Sequence, residues 1–262
     1  MAITKLGVVF STLIALPVAL AGSVKTCSDP PLSCSSSTSS NTCCLNTPGG
    51  QLVQTQFWDS NPSTGMSLIL SCPSDSWTIH GLWPDHCDGT YDSSCDSKRA
   101  YKNITQILQA AGKGDLLSYM DTHWVDINGD NEQFWEHEWA KHGTCISTLD
   151  PNCYTSYTPT QEVPDFFQKT IDLFTTLDSY TALKNAGIVP STSATYTSAK
   201  IQSALETAFG HPVTIRCQSK ALNEIWYSFY VQGSVQTGNF VPTAPVGTTS
   251  NCPSSGVKYP PK

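Results

Sequence analysis

One short segment carries four groups that could move a proton and hold an anion: Phe134-Trp135-Glu136-His137-Glu138-Trp139-Ala140-Lys141-His142-Gly143-Thr144-Cys145. It reads as a helix closed by a C-terminal glycine. At roughly 100° per residue, His137, Glu138, Lys141 and His142 fall within an arc of about 140° that also contains Phe134. Trp135 and Trp139 point the other way, so one face is ionisable and the other is core. Glu138 and Lys141 alone would pass for an ordinary surface pair three residues apart. Two histidines on the same stripe, of six in the chain, argue instead for acid-base chemistry. A zinc-protease helix does not fit, because that motif sets its histidines four apart, whereas His137 and His142 are five apart and diverge by about 140°.

The second block is Trp77-Thr78-Ile79-His80-Gly81-Leu82-Trp83-Pro84-Asp85-His86-Cys87. Strand alternation places Thr78, His80 and Leu82 on one side. A strand histidine on its own is more often packed than catalytic, and what raises His80 is its company. Together the two blocks resemble the two active-site signatures of the ribonuclease T2 family, secreted acid ribonucleases well represented in fungi. The similarity extends to the cysteine pattern, to 54–58, to Asp150-Pro151-Asn152-Cys153-Tyr154 and to 227–231, and so covers essentially the whole mature chain.

RNA carries its own nucleophile, the 2'-hydroxyl. Cleavage therefore needs a base for that proton, an acid for the leaving 5'-oxygen and cations for the crowded phosphorane, with no metal and no cofactor. The resemblance implies that His142 is the base and His80 the acid. It has His137 helping to bind phosphate, and Glu138 with Lys141 stabilising the pentacoordinate state. The expected substrate is single-stranded RNA, cut to a 2',3'-cyclic phosphate and then more slowly to a 3'-phosphate. The helix end favours protonated His142 and Lys141 opposes it, so its proton affinity is expected near the ordinary imidazole range.

Base-binding positions carry over one by one. Trp83 and Tyr91 match stacking positions, with core packing as the other reading of both rings. Asp85 can accept from an exocyclic amine, which favours adenine in the first pocket of an otherwise weakly base-specific site. Gln56 and Phe134 match the second pocket. Val125-Asp126-Ile127-Asn128 departs from the family pattern there, which leaves the downstream preference open.

The elements that must position these residues follow from periodicity and punctuation. Strands are expected at 51–58, 77–83, 213–217 and 225–231, with a turn at 61–65. Helices are expected at 103–111 and 115–123, separated by Gly112-Lys113-Gly114, at 163–177 with Pro164 in the first turn, and at 198–209 ended by Gly210. No internal repeat is visible and the mixture is α+β. The resemblance makes it a central antiparallel sheet flanked by helices in a single disulfide-rich domain.

That domain is expected over 22–262, preceded by a signal peptide at 1–21: Lys5 gives a positive start, 6–20 is apolar, and Ala19-Leu20-Ala21 suits cleavage. Pro17 interrupts the apolar run, and no later stretch reaches about 18 apolar residues. A soluble, secreted, monomeric protein is expected, with a vacuolar or lysosome-like compartment as the other destination. From 26 to 50 the chain is too poor in large apolar residues to pack by burial, so 22–50 should be a disulfide-stapled loop region. The 11 cysteines of an exported chain suit disulfides rather than metal, and none shows a C-x-x-C spacing. The family pattern implies Cys27 with Cys44, Cys34 with Cys87, Cys43 with Cys153, Cys95 with Cys145 and Cys217 with Cys252. Cys72 is left over, in an apolar stretch at 66–72 that relatives lack, and is expected to be a free thiol in an insertion.

Asn103-Ile104-Thr105 is a glycan acceptor and Asn41-Thr42-Cys43 a weaker one. His86, His123 and His211 match no catalytic position. A net charge of -7 argues against a simple polyanion-binding surface, so an RNA enzyme of this composition must concentrate its cations in the site and should prefer acid, where its 21 carboxylates repel phosphate less. The competing class is a secreted RNA-binding or defence protein on the same fold without turnover. That state arises when the histidines are lost, and here His80, His137 and His142 are all present.

Overall fold

The computed structural model describes residues 22–35, 41–60 and 73–262. The expected signal peptide, the expected turn at 61–65 and Cys72 in its expected insertion lie outside the described residues. In chain order the elements are β1 (Gln51–Phe57), β2 (Thr78–Asp85), α1 (Ile104–Ala110), α2 (Gly114–His123), α3 (Asn131–Lys141), α4 (Glu162–Thr176), α5 (Ser179–Asn185), β3 (Thr195–Tyr196), α6 (Ser198–Phe209), β4 (Thr214–Gln218), β5 (Ala221–Gln232), β6 (Asn239–Thr243) and β7 (Val257–Lys258). The 12-residue β5 is the hub: it pairs with β1, β4, β6 and β7, and β2 lies at the edge beyond β1. The sheet is antiparallel except where β7 meets β5 through Ala221 and Lys258.

Alternation divides the sheet into two faces. Leu52, Ile79, Leu82, Ile225, Tyr227, Phe229 and Val231 point into the core, where α4 contributes Val163, Phe166, Phe167 and Ile171. Trp135 and Trp139 of α3 and Trp124 after α2 close the same core. The opposite face, the cleft face, carries Phe57 of β1, Trp83 of β2 and Trp226 of β5, and Trp83 on it meets Glu138 and His142.

A β-bulge decides which residues reach that face. Thr55 pairs with Gly81 while Gln56 pairs with Ile79, so His80 is the extra residue of β2. A bulge re-aims side chains locally. Simple alternation would have kept His80 with Leu82; instead Leu82 is in the core, while His80 lies against Phe57 and Trp83 of the cleft face.

α6 ends at Gly210, whose φ of 87° is the left-handed cap expected of a C-terminal glycine. The end of α3 works differently. His142 caps it in a helical conformation, its N–H bonded to the Glu138 carbonyl, and a 3-10 turn at Gly143–Cys145 follows. Gly143 is required for space rather than for a left-handed turn: a Cβ there would stand 2.4 Å from the Trp139 ring.

Bridges hold the loops to this frame. Cys27–Cys44, Cys43–Cys153 and Cys34–Cys87 tie down the N-terminal region, Cys95–Cys145 locks the turn after α3, and Cys217–Cys252 fastens the C-terminal segment to β4, the same five pairs the family pattern implied. No helix among the described residues is long and apolar enough to cross a membrane.

Candidate active site

The centre forms where α3 lies over the bulged edge strand. α3 starts at Asp130, whose carboxylate caps the helix by accepting from Gln133 N–H at 3.0 Å. Burial of Trp135 and Trp139 fixes the helix rotation, and this presents Glu138 to β2. Gly81 makes the approach possible: a Cβ at that position would be 2.0 Å from Glu138 Oε2.

Glu138 is fully buried and three imidazoles surround it. His80 Nε2 lies 3.6 Å and His137 Nε2 3.9 Å from its Oε1, and His142 Nε2 lies 4.0 Å from its Oε2. Trp83 Nε1 donates to Oε2 at 3.1 Å. The indole of Trp83 stacks on His142 with centroids 5.1 Å apart, meets His80 edge-on at 4.8 Å, and touches Trp226 at 5.0 Å. Phe57 stacks on the other side of His80 at 3.9 Å, and Phe134 lies 5.9 Å from the same ring. Each ring of the expected acid-base pair thus packs against one aromatic face, His80 on Phe57 and His142 on Trp83, which restrains its orientation.

Charge and burial oppose one another in this centre. Burial raises the Glu138 carboxyl to about 8, against partial lowering by the Trp83 hydrogen bond and by Lys141. Burial likewise lowers His80 to about 3, helped by the charges of Lys141 and His137, and it depresses His142 further. The more exposed His137 is lowered as well, first by burial and then by Lys141 and Lys102. His142 therefore does not sit near the ordinary imidazole range, because desolvation outweighs the helix end. His80 Nδ1, Glu138 Oε1 and His142 Nε2 are buried without a hydrogen-bond partner. Such atoms are costly unless a ligand or water satisfies them, and here each belongs to one of three neighbouring side chains of the same centre.

Along α3, His137, Lys141 and Phe134 line a cavity of about 620 Å³ together with Lys102, Ser94 and Asp126. The turn after His142 is held independently. Buried Arg99 donates to the carbonyls of Thr144 at 3.0 Å and Leu149 at 3.2 Å, and its own carbonyl accepts from Trp139 Nε1. Among the described residues no group of three or more His, Cys, Asp and Glu side chains is arranged to hold a metal ion.

Of the base-binding candidates, Trp83 and Phe134 are in the centre, while Asp85 ends β2 and Tyr91 is joined to it by an isolated backbone bridge. Tyr91 is 63% exposed, which rules out the core reading of its ring. Burial raises the Asp85 carboxyl to about 7, so it can offer an O–H as well as accept. Gln56 is a correction. It points to the core face, fully buried, where its amide donates to Gln54 Oε1 and to the Leu177 carbonyl and its oxygen accepts from Ser179 Oγ. Its neighbour Phe57 occupies the cleft face instead, and strand alternation could have found it. His86 bonds Thr90 and Asp92 at the surface, His123 packs on Tyr119, and His211 is exposed, all outside the centre. Asn103 is exposed at the start of α1.

A disulfide-rich α+β domain with an imidazole–carboxylate centre over an edge strand defines a class of protein whose side chains can perform acid-base chemistry. The ribonuclease T2 family model matches residues 49–241, and the chain belongs to that family. It is 56% identical over 90% of its length to a "Ribonuclease T2-like" protein of Aspergillus fumigatus, and 55% identical over 91% to "Ribonuclease Trv" of Hypocrea rufa. The chain spans 56% of the first relative's length and 99% of the second's. Among solved structures, the T2 ribonuclease Actibind is 52% identical with a TM-score of 0.86, covering 92% of this chain and 99% of that one. Human RNase T2 is 26% identical with a TM-score of 0.59, covering 80% and 98%.

Proposed function

We propose that the chain is a metal-independent endoribonuclease that cleaves single-stranded RNA by transphosphorylation. The observation that carries this reading is the approach of three imidazole Nε2 atoms to within 4.0 Å of the single Glu138 carboxylate. In this reading His142 takes the 2'-hydroxyl proton and His80 delivers a proton to the departing 5'-oxygen. The 2'-oxygen attacks phosphorus as the bond to the 5'-oxygen breaks, leaving a 2',3'-cyclic phosphate that water later opens to a 3'-phosphate. His137 and Lys141 meet the phosphate oxygens, and Glu138 orients the rings and shares a proton with them as charge builds on the phosphorane.

The depressed imidazole affinities support a particular role for the substrate. A phosphodiester brings the negative charge that lets one ring hold its proton in this buried centre. The other ring stays neutral well into acid, which supports an optimum below the ordinary imidazole value of about 6.5. Tyr91, Trp83 and Asp85 hold the upstream base, with adenine favoured by its exocyclic amine. Export, removal of residues 1–21, a monomeric state and a glycan on Asn103 belong to the same proposal.

An RNA zymogram at mildly acid pH, with and without EDTA, tests the reading. A clearing band that resists the chelator is expected, and one abolished by EDTA would return the site to metal chemistry. His80→Ala or His142→Ala should each lower turnover by about 10²–10⁴-fold with unchanged circular dichroism. Intact folded protein that binds RNA without clearing it would support a non-catalytic binding protein instead.

A further inference from the structure

A second cavity, also of about 620 Å³, opens at the end of β1 and is lined by Asp59, Ser60, Ile127, Gln218 and Asn223 among others. It continues the line of the site. Phe57, whose ring carries His80, is followed directly by Trp58 and Asp59, and the Trp58 N–H is bonded to the Asn223 carbonyl at 2.8 Å. The two cavities share a wall at 126–127, since Asp126 faces the first and Ile127 the second. Asp85 and Tyr91 lie at the opposite end of β2, so a strand with its upstream base there runs toward Phe57 and Phe134 and then into this cavity.

From this geometry, and resting on the ribonuclease reading, we infer that the cavity bounded by Asp59, Gln218 and Asn223 is a subsite for the nucleotide that follows the downstream base. Its volume lies within the range of about 300–1,000 Å³ that suits small ligands. Its lining selects the base. A carboxylate flanked by two amides complements an edge with adjacent donors, and guanine presents an imino and an amino N–H side by side. The Asp59 carboxylate accepts no hydrogen bond from the described residues. Burial raises it to about 6, with Lys262 pulling it down and Asp126 and Glu224 pushing it up, so at pH 7 it is an ionised acceptor. Uracil, which offers one imino donor between two carbonyls, fits this edge less well.

The test compares trinucleotides in which only the first phosphodiester carries a 2'-hydroxyl and the third unit is guanosine, uridine or abasic. At pH 7 guanosine should raise kcat/KM about tenfold over the abasic unit, chiefly through KM, and uridine should raise it less. Asp59→Asn and Asn223→Ala should each remove the guanosine gain while cleaving the abasic substrate within about twofold of the parent. An equal gain in both variants, or no gain in the parent, overturns the subsite and leaves the ribonuclease reading standing. Failure to cleave any of the three overturns that reading and the subsite with it.

Discussion

Glu138 is the residue on which the centre turns, and its burial has a thermodynamic sign. A carboxyl raised from its ordinary value of 4.5 to about 8 binds its proton more tightly in the folded state. Its contribution to stability is full below the ordinary carboxylate range and is lost as pH rises toward 8. Glu138→Gln keeps the acceptor for Trp83 Nε1 but removes the titration. The variant should melt near the parent at pH 4 and higher than the parent at pH 8, by at least about 2–4 °C, the shift that corresponds to roughly 1 kcal/mol in a domain of this size. Turnover should fall on the order of a hundredfold. A lower melting temperature at pH 8 would mean that the carboxylate is ionised and held by protonated imidazoles. Gly81 is the second sensitive position, because the Cβ of an alanine would meet Glu138 Oε2. Gly81→Ala should cost about 1–3 kcal/mol in chemical denaturation and lower kcat more than it changes KM; retention of full activity would show that the carboxylate can move aside.

At the scale of elements, what the sequence could reveal depended on how local the cause was. The helix at 198–209 with its glycine stop was legible, because its periodicity and its cap lie within the segment. The ionisable stripe of α3 was legible for the same reason, and it holds His137, Glu138, Lys141 and His142 as the 3.6-residue period demands. The bulge in β2 was not legible, since it is set by pairing with β1 rather than by anything in residues 77–87. Gly143 carried a misleading signal: a glycine after a helix suggests a left-handed cap, but here it yields space to Trp139. Gln56 was misplaced because the family pattern was given precedence over alternation, which assigns the cleft face to Phe57. The short helix α5 and strand β6 lacked a long enough period to be seen, and β6 takes its form from pairing with β5.

For the molecule as a whole, the acidic balance is met by placing the cations Lys141 and Lys102 on the cavity beside the centre, while Glu138 and Asp85 are held toward neutrality by burial. The arrangement of the sheet has a further effect, on the order in which the molecule comes apart. β5 is paired along both of its sides, whereas β2, which bears His80, has a neighbouring strand on one side alone among the described residues. Backbone amides of 225–231 should therefore exchange with deuterium only on global opening, and those of 78–82 through a cheaper local excursion. Warming should then silence the protein in two stages: a reversible loss of turnover as the rim strand lets go, and only at higher temperature the collapse of the tryptophan-rich interior. Simultaneous exchange of both segments, tracking one melting curve, would show instead that the bridge at Cys87 binds the rim to the fate of the whole.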